Sequence, residues 1–179
     1  MKGFTREHIE FSLCGLNCLL CPMQVGGYCP GCGGGPGNQS CAIARCSLNQ
    51  GGYAFCSDCS SYPCARYDEF DTADSFVPHS RRAADLDRAQ ELGLDACIDE
   101  LRAKRVILDK LLADYNDGRR KTFYCAAVYL LPLEELQNTL TVLEGQPESS
   151  VKERAAAAVK LLQEAADSRG ICLKLNKKK

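Results

Sequence analysis

The chain has 179 residues, room for one compact domain or two small ones sharing an interface. Its 22 Lys and Arg against 23 Asp and Glu leave a net charge of -1, which excludes a strongly basic nucleic-acid binder, and 45% hydrophobic residues exclude disorder throughout. The anomaly is cysteine: 13 residues, with only 2 His and no Trp.

Residues 1–10 carry charges where a signal peptide needs an apolar stretch, so no secretory leader is expected. Residues 9–13 alternate and read as a short strand. Ten cysteines then follow between Cys14 and Cys64 in a segment of little regular pattern. Gly33-Gly34-Gly35-Pro36-Gly37-Asn38 is a loop by composition, and Pro78 marks the join to a helical second half. From Leu94, apolar residues at Ile98, Leu101, Leu108, Leu111, Leu112 and Tyr115 trace a helical stripe that Gly118 stops. Residues 123–131 are apolar on all sides and predict a buried helix, short of the roughly 20 residues of a membrane span. Pro132 opens the next helix as its first residue, and Gly145 ends it. Ser150 with Glu153 forms a capping box for a helix running towards Gly170. Ile171, Leu173 and Leu175 alternate as a second short strand, and Lys177-Lys178-Lys179 reads as a frayed tail.

The expected fold class is α+β, mostly α: a metal-stapled irregular cysteine-rich module over residues 1–78, followed by an α-helical bundle over residues 79–179. A module with so few apolar residues needs staples, and a structural zinc site supplies roughly 10–16 kcal/mol of apparent binding free energy.

The candidate metal ligands are Cys14, Cys18, Cys21, Cys29, Cys32, Cys41, Cys46, Cys56, Cys59 and Cys64. Two residues between cysteines let both sulfurs bend onto one ion through a tight turn, and Cys29-Pro-Gly-Cys32-Gly33 has the glycines for the positive φ of a knuckle. An odd cysteine count and a reducing cytoplasm argue against a disulfide scaffold. Zn2+, as two or three ions in closed four-cysteine sites, is the expected cofactor. The pairing expected is Cys18/Cys21 with Cys29/Cys32 and Cys41/Cys46 with Cys56/Cys59, leaving Cys14 and Cys64 as further ligands. The alternative is an iron–sulfur cluster on Cys14-x3-Cys18-x2-Cys21, the spacing of radical-SAM enzymes, although the strand–helix alternation of their barrel is missing.

The string Cys14-Gly-Leu-Asn-Cys18-Leu-Leu-Cys21-Pro, Cys29-Pro-Gly-Cys32, Cys41-Ala-Ile-Ala-Arg-Cys46 and Cys56-Ser-Asp-Cys59-Ser-Ser-Tyr-Pro-Cys64 resembles a bacterial and archaeal family, the domain of unknown function 3795. The resemblance covers residues 12–70 and extends to Asp117-Gly-Arg-Arg-Lys121 and Leu130-Leu-Pro-Leu133. It implies a small prokaryotic, cytoplasmic, zinc-binding protein and no particular activity.

Other groups read as structural. His8 and His79 are expected at the surface, and Cys97, Cys125 and Cys172 in apolar packing. Arg119-Arg120-Lys121 reads as a solvated turn. Arg81-Arg82 and Arg102-x-Lys104-Arg105, with Asp85, Asp99 and Asp109 nearby, read as exposed helix faces. Tyr53, Phe55 and Tyr62 are expected to cover the metal sites. No Ser-His-Asp set, phosphate loop or His-Glu-His zinc motif is present, which argues against an enzyme. Residues 1–64 hold three basic side chains, which argues against nucleic acid as a partner and leaves a protein partner or none.

Overall fold

A computed structural model of the chain describes residues 3–36 and 41–177. Gly37 and Asn38 of the expected loop, and Lys178 and Lys179 of the expected tail, lie outside the described residues. Helix makes up 55% of the structure and strand 1%, with no sheet among the described residues, so the expected α+β class is corrected to all-α. The helices are α1 (Pro22–Val25), α2 (Ala42–Asn49), α3 (Ala65–Phe70), α4 (Arg82–Leu92), α5 (Leu94–Asp114), α6 (Lys121–Leu130), α7 (Leu133–Glu144) and α8 (Val151–Asp167), with 3-10 turns at Cys18–Leu20 and Cys56–Asp58.

Neither expected strand forms. Around residues 9–13 the only bridge is an isolated antiparallel one between Phe11 and Asn17. Phe11, Ser12, Leu13 and Cys14 are all buried, so the segment is a loop wrapped in core on every side, where alternation has no solvent face to report. Beyond α8 the chain makes a turn, forms no strand and buries Leu173. Its polar backbone is satisfied by a loop: Asp74 N–H donates to the Asn176 carbonyl at 2.6 Å, and Asn176 N–H donates to the Asp74 carboxylate at 2.7 Å. Without a neighbouring strand, the alternating sequence there builds no ladder.

The helices obey their sequence signals more closely. Gly93, at φ 89°, separates α4 from α5, and α5 buries Ile98, Leu101, Leu108 and Leu111 along one stripe. Residues 124–130 of α6 are buried on every side. Pro132 caps α7 from the position before its first residue instead of occupying that residue, and Gly145 ends the helix. Ser150 Oγ accepts from Glu153 N–H at 3.3 Å while the Glu153 carboxylate accepts from Ser150 N–H at 2.9 Å, closing the capping box of α8.

The cysteine-rich half does not stand alone. Phe11, Leu13, Leu20 and Ile43 belong to the same continuous core as Leu101, Leu108, Tyr129 and Leu162. α5 is its spine, packed against α4, α6, α7 and the turn at Cys18–Leu20. Arg105 on α5 fastens that turn by donating to the Leu19 carbonyl at 3.0 Å and to Gln24 Oε1 at 2.6 Å. Arg6 fastens the N-terminal segment to the second half of the module, donating from Nη2 to the Ala54 carbonyl at 2.9 Å with its guanidinium over the Phe55 ring.

Several side chains expected at the surface are inside. His79 is buried and bonded to Ser75 Oγ at 2.8 Å. Arg82 has no exposed surface and Lys104 is 7% exposed. Cys172, expected in packing, is exposed, whereas Cys97 and Cys125 are buried as expected. No helix among the described residues is long and apolar enough to cross a membrane.

Candidate metal centre

The ten cysteines sit on turns and helix starts that the local sequence dictates. Cys18-Leu-Leu-Cys21 and Cys56-Ser-Asp-Cys59 adopt the same 3-10 turn, in which the second cysteine N–H donates to the first cysteine carbonyl at 3.0 and 3.1 Å respectively. Asp58 steadies the second turn by accepting from Phe55 N–H at 2.9 Å. Cys21, Cys41 and Cys64 each immediately precede a helix, α1, α2 and α3. In Cys29-Pro-Gly-Cys32, Gly31 takes φ 98°, and a Cβ there would lie 2.4 Å from the Ile9 carbonyl oxygen, so glycine is required at that place. Gly15 is required for the same two reasons: φ 91°, and a Cβ that would fall 2.2 Å from the Arg82 carbonyl oxygen. That approach presses the Cys14 loop against the start of α4.

The sulfurs fall into neighbourhoods. Cys18 lies within electrostatic reach of Cys32, Cys14 and Cys21, and both Cys14 and Cys32 lie within reach of Cys41. Cys46, Cys56, Cys59 and Cys64 line one small, mostly apolar cavity of about 40 Å³, together with Leu13, Tyr53, Tyr62 and Tyr67, and Cys56 lies within reach of both Cys64 and Cys14. Cys21 lies within reach of Cys29 and of the buried Cys125.

Backbone N–H groups are aimed at these sulfurs. Cys18 accepts from the Cys32 amide, Cys21 from those of Met23 and Gln24, Cys32 from that of Leu13, and Cys14 from that of Leu16. Ser12 Oγ stands 3.3 Å from Cys14 Sγ. Such donors stabilise thiolate over thiol. Burial acts against them and pushes the Cys14, Cys18, Cys21 and Cys32 thiols up, and Cys56 up to about 12. A bound cation would take the place of the proton on these thiols.

In donor chemistry the set therefore fits a thiophilic ion. The sulfurs are neighbours without closing a ligand sphere: among the described residues, no three His, Cys, Asp or Glu side chains form a group that could hold a metal ion. No protein-family model, curated protein or solved structure matches the chain.

Two residues of this region carried no sequence signal. Arg82 lies with its guanidinium 4.2 Å over the Tyr67 ring, donates to Asp71 at 2.7 Å and acts electrostatically on Cys14. Tyr67 donates to the Cys14 carbonyl at 3.4 Å and also reaches Cys56, so one phenol links the two sulfur neighbourhoods. Tyr53 and Tyr62 line the cavity beside Cys46, Cys56, Cys59 and Cys64, while Phe55 turns to Phe11 at 5.6 Å between centroids.

Proposed function

We propose that the chain is a structural zinc protein with two four-cysteine sites, Cys14/Cys18/Cys32/Cys41 and Cys46/Cys56/Cys59/Cys64, and that the module so stapled serves as a surface for a protein partner. The observation that carries this reading is the run of neighbouring sulfurs from Cys18 through Cys14 and Cys32 to Cys41, beside a cavity lined by Cys46, Cys56, Cys59 and Cys64. The amides directed at Cys14, Cys18 and Cys32 support it, as does the resemblance of the cysteine string to the domain of unknown function 3795. Zinc in such a site supplies a cross-link and neutralises part of the thiolate charge, leaving about -2 for each closed site. The chain supplies the rest: amides orient the sulfurs, Tyr67 ties one group to the other, and the aromatic rings at the second cavity exclude water. Cys21 and Cys29 remain beside the first group.

One observation favours a second reading. Cys18 has both Cys14 and Cys21 as neighbours, which is the set an iron–sulfur cluster with one open iron would use. Protein purified without oxygen and assayed for metal distinguishes the two. A colourless protein with two zinc ions per chain is expected. A brown one with stoichiometric iron retires zinc, and a folded metal-free protein retires both.

A further inference from the structure

Away from the cysteine module's sulfur groups, α4, α5 and the junction of α6 with α7 line a partly open cavity of about 210 Å³, roomy enough for a small ligand. Three cations, Arg81, Arg88 and Lys104, face two carboxylates, Asp85 and Glu100, a surplus of one positive charge. Both carboxylates are already engaged. Glu100 pairs with Arg88 and lies 3.4 Å from Lys104 Nζ; Asp85 accepts from Asn17 Nδ2 at 3.0 Å and lies 3.7 Å from Arg81 Nε.

Donors, by contrast, are left over. The Lys104 side chain is 9% exposed, and its ammonium, with three N–H bonds, is ion-paired with Glu100 and has Asp85 within electrostatic reach. The buried Tyr129 hydroxyl accepts from Asn17 N–H at 3.3 Å, and its own proton has no protein acceptor among the described residues. Both groups therefore keep donor capacity on the side of the cavity, and an acceptor placed there would use it. Burial also holds the Lys104 ammonium below the usual lysine range, against the opposing pull of Glu100 and Asp85.

We propose that this cavity binds a short-chain monocarboxylate. Its carboxylate accepts from Lys104 Nζ and Tyr129 Oη, with Arg81 at the half-exposed mouth, and its hydrocarbon lies against Leu101 and Leu131. One surplus positive charge matches one carboxylate. A phosphate, with up to two charges and a larger oxygen shell, would be set against Asp85 and Glu100. A cation would find the acceptors taken and the donors opposed.

Butyrate titrated into ¹⁵N-labelled protein, as purified, tests this through amide shifts at residues 85, 101, 104 and 129. Saturable binding with a Kd of about 1 mM or tighter is expected, with neutral butyramide silent. Lys104→Met should weaken binding about tenfold or more. Arg81→Gln, whose side chain is 45% exposed and tolerates change without refolding, should weaken it severalfold at unchanged metal content. The proposal is overturned by absence of saturation, by butyramide binding as well as butyrate, or by a preference for inorganic phosphate. It is equally overturned if Arg81→Gln and any folded Lys104→Met both bind as the parent does.

Discussion

Leu20→Ala tests whether cysteine module and helices share one core. Leu20 is fully buried in the turn Cys18–Leu20, between two cysteines on one side and helices α5 and α6 on the other. The substitution removes three carbons, about 2.4 kcal/mol of transfer free energy at ~0.8 kcal/mol each. The turn is fastened by Arg105 and cannot follow the lost volume inward, so a cavity term adds to this and the total is about 3–4 kcal/mol. For a chain of this length that corresponds to a fall in Tm on the order of 10 °C. Urea denaturation should be followed twice, by far-UV circular dichroism for the helices and by thiol labelling for the module. Both transitions should move together to lower urea. A shift seen by thiol labelling alone, or a loss below about 1 kcal/mol, would refute the shared core.

Cys32→Ser and Cys59→Ser should each lose one of two zinc ions, whereas exposed Cys172→Ser keeps both and buried Cys125→Ser keeps both at a cost of about 1–3 kcal/mol; metal analysis beside urea midpoints checks all four. Gly15→Ala should cost about 3–5 kcal/mol, because a positive φ and a backbone clash act together, while Gly27→Ala, with positive φ but open space, should cost only about 1–2 kcal/mol. Equal losses in those two variants would show that the approach to the Arg82 carbonyl is unimportant. Burial raises the Asp85 carboxyl above the usual range, so its contribution to stability is full below the unfolded value, near pH 4, and is lost as pH rises through the folded value. Asp85→Asn should therefore gain on the parent between about pH 4 and pH 7, and a parent that gains on the variant over that range contradicts the assignment.

Legibility in the sequence followed the range of the interactions involved. The capping box at Ser150 and Glu153, the stop at Gly145 and the stripe on α5 are local signals, and they appear where they were read. Alternation at residues 9–13 and 171–175 was misleading because a strand needs a neighbour, and here a loop fills that place. Charge balance could not reveal that Arg82 and Lys104 turn inward, since their environments are made by residues from other helices and loops. The same holds for the sulfurs. Spacing shows Cys41 and Cys46 as near neighbours in the chain, yet Cys41 caps α2 and Cys46 lies about 1.4 turns further on, so the two thiols leave the helix in different directions.

The bond between Asn176 and Asp74 spans 102 residues of sequence, and Asn17 N–H reaches Tyr129 across 112. During synthesis, at roughly 5–20 residues per second, these partners emerge about 5–20 s apart. The cysteine-rich segment therefore leaves the ribosome well before the helices that complete its core. For that interval its thiols are exposed to whatever oxidant or metal the surroundings offer. Ribosomal pausing within the helical half would lengthen this exposure, so the yield of correctly folded protein should depend on codon choice far downstream of the last clustered cysteine.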